Sequence, residues 1–131
     1  MRIVIDASAM AEMLMASAVG AKVAQRVFAV QRRHAPHLLD FEVVSALRRF
    51  VLGKQLPAAQ AQSAIDDLAA FPMQRHAHGP LLERVFDLRH NLSAYDALYL
   101  ALAEGLEATL VTCDEALAGV SGAKAPVELI S

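Results

Sequence analysis

Hydrophobic positions along this chain recur in two rhythms. Ile3, Val4 and Ile5 form an unbroken β-favouring run that ends at once in Asp6, which reads as a short strand buried on both faces. Residues 9–14 read as a short helix and residues 18–31 as a longer one, and the His-Ala-Pro of 34–36 then breaks the pattern. From 38 to 55, Leu39, Val43, Leu47 and Phe50 return on one face of a strong helix, with Gly53 and Pro57 marking its end and the next beginning. Further helices are predicted over 57–70, over 80–90 with proline at its first position, and over 93–104, where Gly105 closes the last. Residues 71–76 are a strand candidate, 108–112 and 126–130 read as strands, and 114–118 as a short helix. No repeat, linker or low-complexity tract interrupts the series.

Strands alternating with helices imply a mostly parallel, twisted sheet covered by helices, an α/β chain folding as one domain over 1–131. Ligands of such open sheets sit beyond the carboxyl ends of the strands. Asp6 and Asp114 each stand just past such an end.

Composition changes this picture little. With 56% hydrophobic and 20% charged residues, the 131-residue chain reads as folded rather than disordered. A single cysteine, Cys113, excludes an internal disulfide and suits a reducing compartment. Asp6 and Glu12 interrupt the N-terminal apolar stretch, which argues against a signal peptide, and no uncharged apolar run has membrane-spanning length, so a cytoplasmic protein is expected. A net charge of −2 excludes gripping nucleic acid by bulk basicity. The charge is uneven: residues 1–65 hold eight Lys/Arg against four acids, and residues 66–131 hold four against ten. Arg32, Arg33, Arg48, Arg49 and Lys54 make the first half locally basic, where solvated helix faces are the ordinary reading.

Four acids carry candidate chemistry. Asp6 and Asp114 each fit an N-cap, and Asp96, three residues after Ser93, fits a capping box. Glu42 does not, because it lies inside a helix and shares a stripe with Ser45 and Arg49. Asp40 points the other way, toward the side of Val44, Leu47 and Val51, so only Glu42 of this pair serves a common site. If Asp6, Glu42, Asp96 and Asp114 converge, each pair about 4 Å apart costs roughly 4 kcal/mol at an effective dielectric near 20. A small domain has only about 5–15 kcal/mol of stability in all. Protons or cations must therefore neutralise the group, and an all-oxygen site suits Mg²⁺ or Mn²⁺.

The segments "VIDASA", "LLDFEVVSALRR", "LSAYDALYLALAE" and "LVTCDEAL", in this order and spacing, resemble the PIN-domain nucleases, and most closely the VapC toxins of type II toxin–antitoxin pairs. The likeness runs nearly end to end. It implies a three-layer α/β/α fold and a metal-dependent endoribonuclease that cleaves RNA with one or two Mg²⁺ or Mn²⁺ ions. It implies Asp6, Glu42, Asp96 and Asp114 as catalytic metal ligands. Ser8 and Thr112 are then the donors that fix carboxylate geometry, and a small antitoxin and a second copy of the chain are the partners. Arg49 and Arg48, near Glu42, are candidates to hold RNA phosphates beside the acids, with Arg32 and Arg33 next.

Other features stay in the background. His34, His37, His76, His78 and His90 lack the helical spacing or cysteine partner of a zinc site and read as solvated or hydrogen-bonded, with 76–78 in a loop. Cys113 reads as a small buried residue, and Met10, Met13 and Met15 as core or a partner-facing patch. Two competing functions are a receiver-like domain phosphorylated on aspartate and a PIN-like module that binds RNA without cutting. The first needs an acceptor Asp at a strand end in mid-chain, where this chain is helical, and a late lysine, for which Lys124 is the only candidate.

Overall fold

The computed structural model describes residues 1–131. Five strands, β1 (Arg2–Ile5), β2 (Arg32–Pro36), β3 (Gln74–His76), β4 (Thr109–Thr112) and β5 (Val127–Leu129), form one sheet in the order β3-β2-β1-β4-β5. Every pairing is parallel, so the sheet is wholly rather than mostly parallel. Seven helices flank it in the three-layer α/β architecture: α1 (Ala7–Leu14), α2 (Ala18–Phe28), α3 (Leu38–Leu52), α4 (Ala58–Ala70), α5 (Leu82–Asp87), α6 (Ala94–Leu106) and α7 (Glu115–Ala118). Ile3, Val4 and Ile5 are fully buried, as are Leu110 and Val111 of β4, which is why these two strands read as continuous apolar runs. No helix is long and apolar enough to cross a membrane.

The chain builds outward from β1 to β2 and β3, then returns to the other side of β1 for β4 and β5. The switch point therefore lies between the carboxyl ends of β1 and β4, where open sheets form their ligand crevice. The same order, with β1 central, excludes the receiver reading, whose sheet runs 2-1-3-4-5.

Several boundaries differ from expectation. The 34–36 segment is not a break but the end of β2, paired on both sides with β1 and β3. Its charged start and terminal proline hide the strand, and pairing on both edges overrides propensity. His76 is accordingly strand rather than loop. Helix α2 ends at Phe28, well short of 31, and α1 starts at Ala7, before 9. Helix α6 runs past Gly105 and closes at Glu107, which takes the left-handed conformation at φ 53. The predicted 80–90 helix is a 3₁₀ turn, Gly79–Leu81, followed by the short α5.

Two devices fix the layers around the site. Arg75 of β3 forks onto both carboxylate oxygens of Asp40 at 2.6 and 2.9 Å, so Asp40 is spent on the sheet edge and Glu42 faces elsewhere. Gly20 of α2 lies so close to α1 that a Cβ there would sit 1.9 Å from the Glu12 carbonyl oxygen. Gly20→Ala is expected to force the two helices apart and cost about 2–3 kcal/mol, read as a lower denaturant midpoint with unchanged slope.

Candidate active site

Asp6 leaves the sheet with its N–H still bonded to the Val111 carbonyl, then turns into α1. Its Oδ1 accepts from the Ala9 N–H at 2.9 Å and from the Ser8 hydroxyl at 2.7 Å, and its Oδ2 accepts from the Thr112 hydroxyl. Only 4% of Asp6 is exposed. Burial pushes its pKa up to about 6, with the bonds from Thr112, Ala9 and Ser8 pulling back and Asp96 adding to the rise. Ser8 and Thr112 are themselves fixed: Ser8 Oγ accepts from the Cys113 N–H at 3.0 Å, and Thr112 Oγ1 accepts from the Asp114 N–H at 2.9 Å. The ends of β1 and β4 are thus stitched together through one carboxylate. Cys113 is half-buried here, its thiol pushed up to about 11 first by burial and then by Asp6 and Glu12.

Asp114 caps α7 by accepting from the Ala116 N–H at 2.9 Å. In α6, Ser93 caps the helix by accepting from the Asp96 N–H, and the half-buried Asp96 carboxyl faces the cleft. Its pKa is raised, first by burial and then by the Asp114 charge. Glu42 comes from α3 across the opening, and its Oε1 accepts from the Tyr99 hydroxyl at 2.6 Å. Tyr99 is 1% exposed, and burial together with Glu42 holds its proton far above the usual phenol range.

Asp6, Glu42, Asp96 and Asp114 all line a single cleft of about 540 Å³ at the switch point, with Ser45 and Arg49 of the α3 stripe in the same wall. Arg49 is its only lining cation. Arg48, its exposed neighbour, does not line it. Arg32 and Arg33 lie at the amino end of β2, in register with Arg2 and Ile3, so the length of the sheet separates them from the carboxylates and they cannot hold phosphates beside them. Four residues of strand span about 13 Å.

Among the lining residues that were not anticipated are Glu12 and Tyr99, and the exposed rings of Phe41 and Tyr95. Glu12 sits one helical turn beyond Ser8, and Tyr99 three residues after Asp96, each on the face its predecessor presents to the cleft. That spacing was the available signal, but a tyrosine in an apolar helix reads first as core.

The carboxylates share a cleft without packing into a tight cage. No three His, Cys, Asp or Glu side chains stand close enough, as placed, to hold a metal ion among them. The expectation of a cluster too negative to stand without a cation is corrected accordingly. Each of three acids already has donors of its own: Asp6 accepts from three, Asp114 from its helix end and Glu42 from Tyr99. The donor chemistry, an oxygen-rich wall of carboxylates and hydroxyls with one cation, fits a hard divalent ion.

The PIN domain family model matches residues 3–123. The chain is 40% identical over 128 residues to Ribonuclease VapC1 of Mycobacterium tuberculosis, covering 97% of this chain and 96% of that one. Among solved structures it is similar to PAE2754 from Pyrobaculum aerophilum, at 23% identity and a TM-score of 0.73 over 96% of this chain and 82% of that one. It is also similar to VapBC2 from Rickettsia felis bound to a promoter DNA fragment, at 13% identity and a TM-score of 0.70 over the whole of both chains. With its switch-point carboxylates and a family match over nearly all of its length, the chain belongs to the PIN-domain family and groups there with the VapC ribonucleases.

Proposed function

We propose that this protein is a divalent-metal-dependent endoribonuclease that acts as the toxin of a toxin–antitoxin pair. The observation that carries the reading is the switch-point cleft, lined by acids from four separate segments in a chain similar to VapC ribonucleases. Asp6, Glu42, Asp96 and Asp114 would hold Mg²⁺ or Mn²⁺, one or two ions. When bound, the ion would make water at the site more acidic and offset the charge that builds on the phosphate.

The chain's own groups do the rest. Ser8 and Thr112 fix both oxygens of Asp6, so the carboxylate enters the reaction already oriented. Arg49 brings a positive charge into an otherwise acidic wall, where a scissile phosphate needs one. Phe41 and Tyr95, 73% and 60% exposed on the cleft wall, offer rings on which unpaired bases stack. The same apolar rim suits the segment of a small antitoxin, a partner supported by the VapBC complex among the similar structures. A homodimer belongs to the same reading and rests on the family likeness.

Incubating the purified chain with a looped single-stranded RNA, with Mg²⁺ or with EDTA, tests this. Internal cleavage that EDTA abolishes is expected. Undiminished cleavage in EDTA contradicts the metal requirement, and binding without cleavage in Mg²⁺ returns the protein to an RNA-binding module. Arg49→Ala is expected to weaken RNA binding about tenfold and to reduce the slope of log affinity against log salt by about 0.7, the single-strand value for one phosphate contact. An unchanged slope places Arg49 off the RNA path.

A further inference from the structure

A second concavity, of about 590 Å³, opens at the amino ends of the strands, the far end of the sheet from the carboxylate cleft. Arg2, Arg32, Arg33, His34, Gln74 and His76 line it, and no carboxylate does. From this grouping we infer that the concavity is a phosphate-binding pocket.

Its guanidinium groups are uncompensated. The ion pairs of the molecule are Arg26–Glu128, Arg75–Asp40 and Arg84–Glu104, and none involves Arg2, Arg32 or Arg33. Arg2 and Arg32 are register partners on adjacent strands, so they emerge side by side, about 5 Å apart at the backbone. Two of the three are held in place without using up their donors. Arg2 Nη1 donates to the Leu106 carbonyl at 3.0 Å. Arg33 Nε donates to the Val27 carbonyl at 3.1 Å and its Nη1 to the Pro72 carbonyl at 3.4 Å, while its guanidinium lies over the Phe28 and Phe71 rings, 5.1 and 5.6 Å from their centroids. Each guanidinium has five N–H donors, so several per residue stay available to a ligand.

His34 is a second, independent sign. It is 8% exposed, its Nδ1 lies 2.9 Å from His76 Nε2, and its own Nε2 is buried with no hydrogen-bond partner. When His76 donates within this pair, Nε2 of His34 carries a proton for which the protein supplies no acceptor. Burial first, and then the charges of His76, Arg2 and Arg32, hold the His34 pKa below its ordinary value. A bound anion would supply that acceptor and offset the unpaired guanidinium charge. Arg2 and Arg32 leave the same face of the sheet as His34, Gln74 and His76, whereas Arg33, next along the strand, leaves the other face and adds its charge at the rim. Two guanidinium forks beside two imidazoles match a tetrahedral, multi-oxygen phosphate better than a planar carboxylate, which one fork satisfies.

A phosphodiester of an RNA whose cleavage site lies in the carboxylate cleft is one source of that phosphate, a source that rests on the proposed ribonuclease activity. Free phosphate is the other, and it does not depend on that activity. Arg32, exposed and without a partner, is the residue to change, since its loss breaks no contact. Arg32→Glu and the milder Arg32→Gln are compared with the parent chain in two arms. In the first, cleavage of a long RNA and of an oligonucleotide too short to leave the cleft is followed. KM is expected to rise about tenfold for the long RNA in Arg32→Glu, less in Arg32→Gln, with kcat and the short substrate unchanged. In the second, the Arg side-chain N–H signals are followed by NMR during titration with inorganic phosphate, and saturable shifts in the parent are expected to vanish in Arg32→Glu.

An effect in the first arm assigns the pocket to RNA. A response in the second arm alone assigns it to free phosphate. No effect of either variant in the first arm, together with no saturable response to phosphate, overturns the pocket. Should the parent chain fail to cut RNA at all, the ribonuclease reading falls while the phosphate titration still decides the pocket.

Discussion

Asp6→Asn is expected to abolish RNA cleavage, by at least about a thousandfold, and at the same time to make the metal-free protein more stable at pH 8. The first effect follows from removing the one carboxylate that three donors orient at the switch point. A thousandfold corresponds to about 4 kcal/mol of transition-state stabilisation. The second follows from the raised pKa. The folded chain holds the Asp6 proton up to about pH 6, whereas an unfolded aspartate loses it near 3.8. This raised group contributes stability in full below the unfolded value and loses that contribution as pH climbs through about 6. The difference of about two units amounts to about 3 kcal/mol at neutral and higher pH. Asparagine keeps an acceptor for Ala9 N–H and Ser8 while carrying no charge to desolvate. Denaturant melts in EDTA at pH 5 and 8 and an RNA cleavage assay read the two effects together. Full cleavage by a folded Asp6→Asn protein removes Asp6 from the mechanism, and a loss of stability at pH 8 contradicts the account of its burial.

Tyr99→Phe carries the next largest effect on activity. The hydroxyl is the donor that Glu42 Oε1 accepts, and the ring stays packed whether or not the oxygen is there. Phenylalanine is therefore expected to keep the fold while freeing Glu42 to rotate, lowering cleavage about 10- to 100-fold, the usual cost of losing a group that orients a ligand. A purely structural tyrosine changes stability alone. The discriminating readout is the Mn²⁺ concentration giving half-maximal cleavage, which rises when Glu42 is no longer oriented. Cleavage and half-maximal Mn²⁺ both equal to the parent place Tyr99 in the core and nothing more.

The parts of this fold that a reader of the sequence sees are those where local chemistry and burial agree. Ile3–Val4–Ile5 announces β1 because both faces of a central parallel strand are covered. Glu42 stands out because no helix end needs it, and helical geometry alone separates it from Asp40, which the structure ties to Arg75. Strand β2 stays hidden because Arg32, Arg33 and Pro36 carry no strand signal, and only its two neighbours make it one. Tyr99 stays hidden because a hydroxyl aimed from an apolar helix at a carboxylate 57 positions earlier is a tertiary fact. The capping and functional readings of the acids look exclusive on paper, yet Asp6 caps α1 through the Ala9 N–H and lines the cleft with the same carboxylate. The bond that holds the helix end is the bond that aims the site.

The central claim, that these four carboxylates take up a divalent ion, is tested most directly by calorimetric titration of the chain with Mn²⁺ at pH 7.5 and pH 5. Saturable binding is predicted at pH 7.5, weakened about tenfold at pH 5, where a proton on Asp6 competes, and lost in Asp96→Asn. Absence of saturable binding at pH 7.5, or binding that Asp96→Asn leaves unchanged, contradicts it.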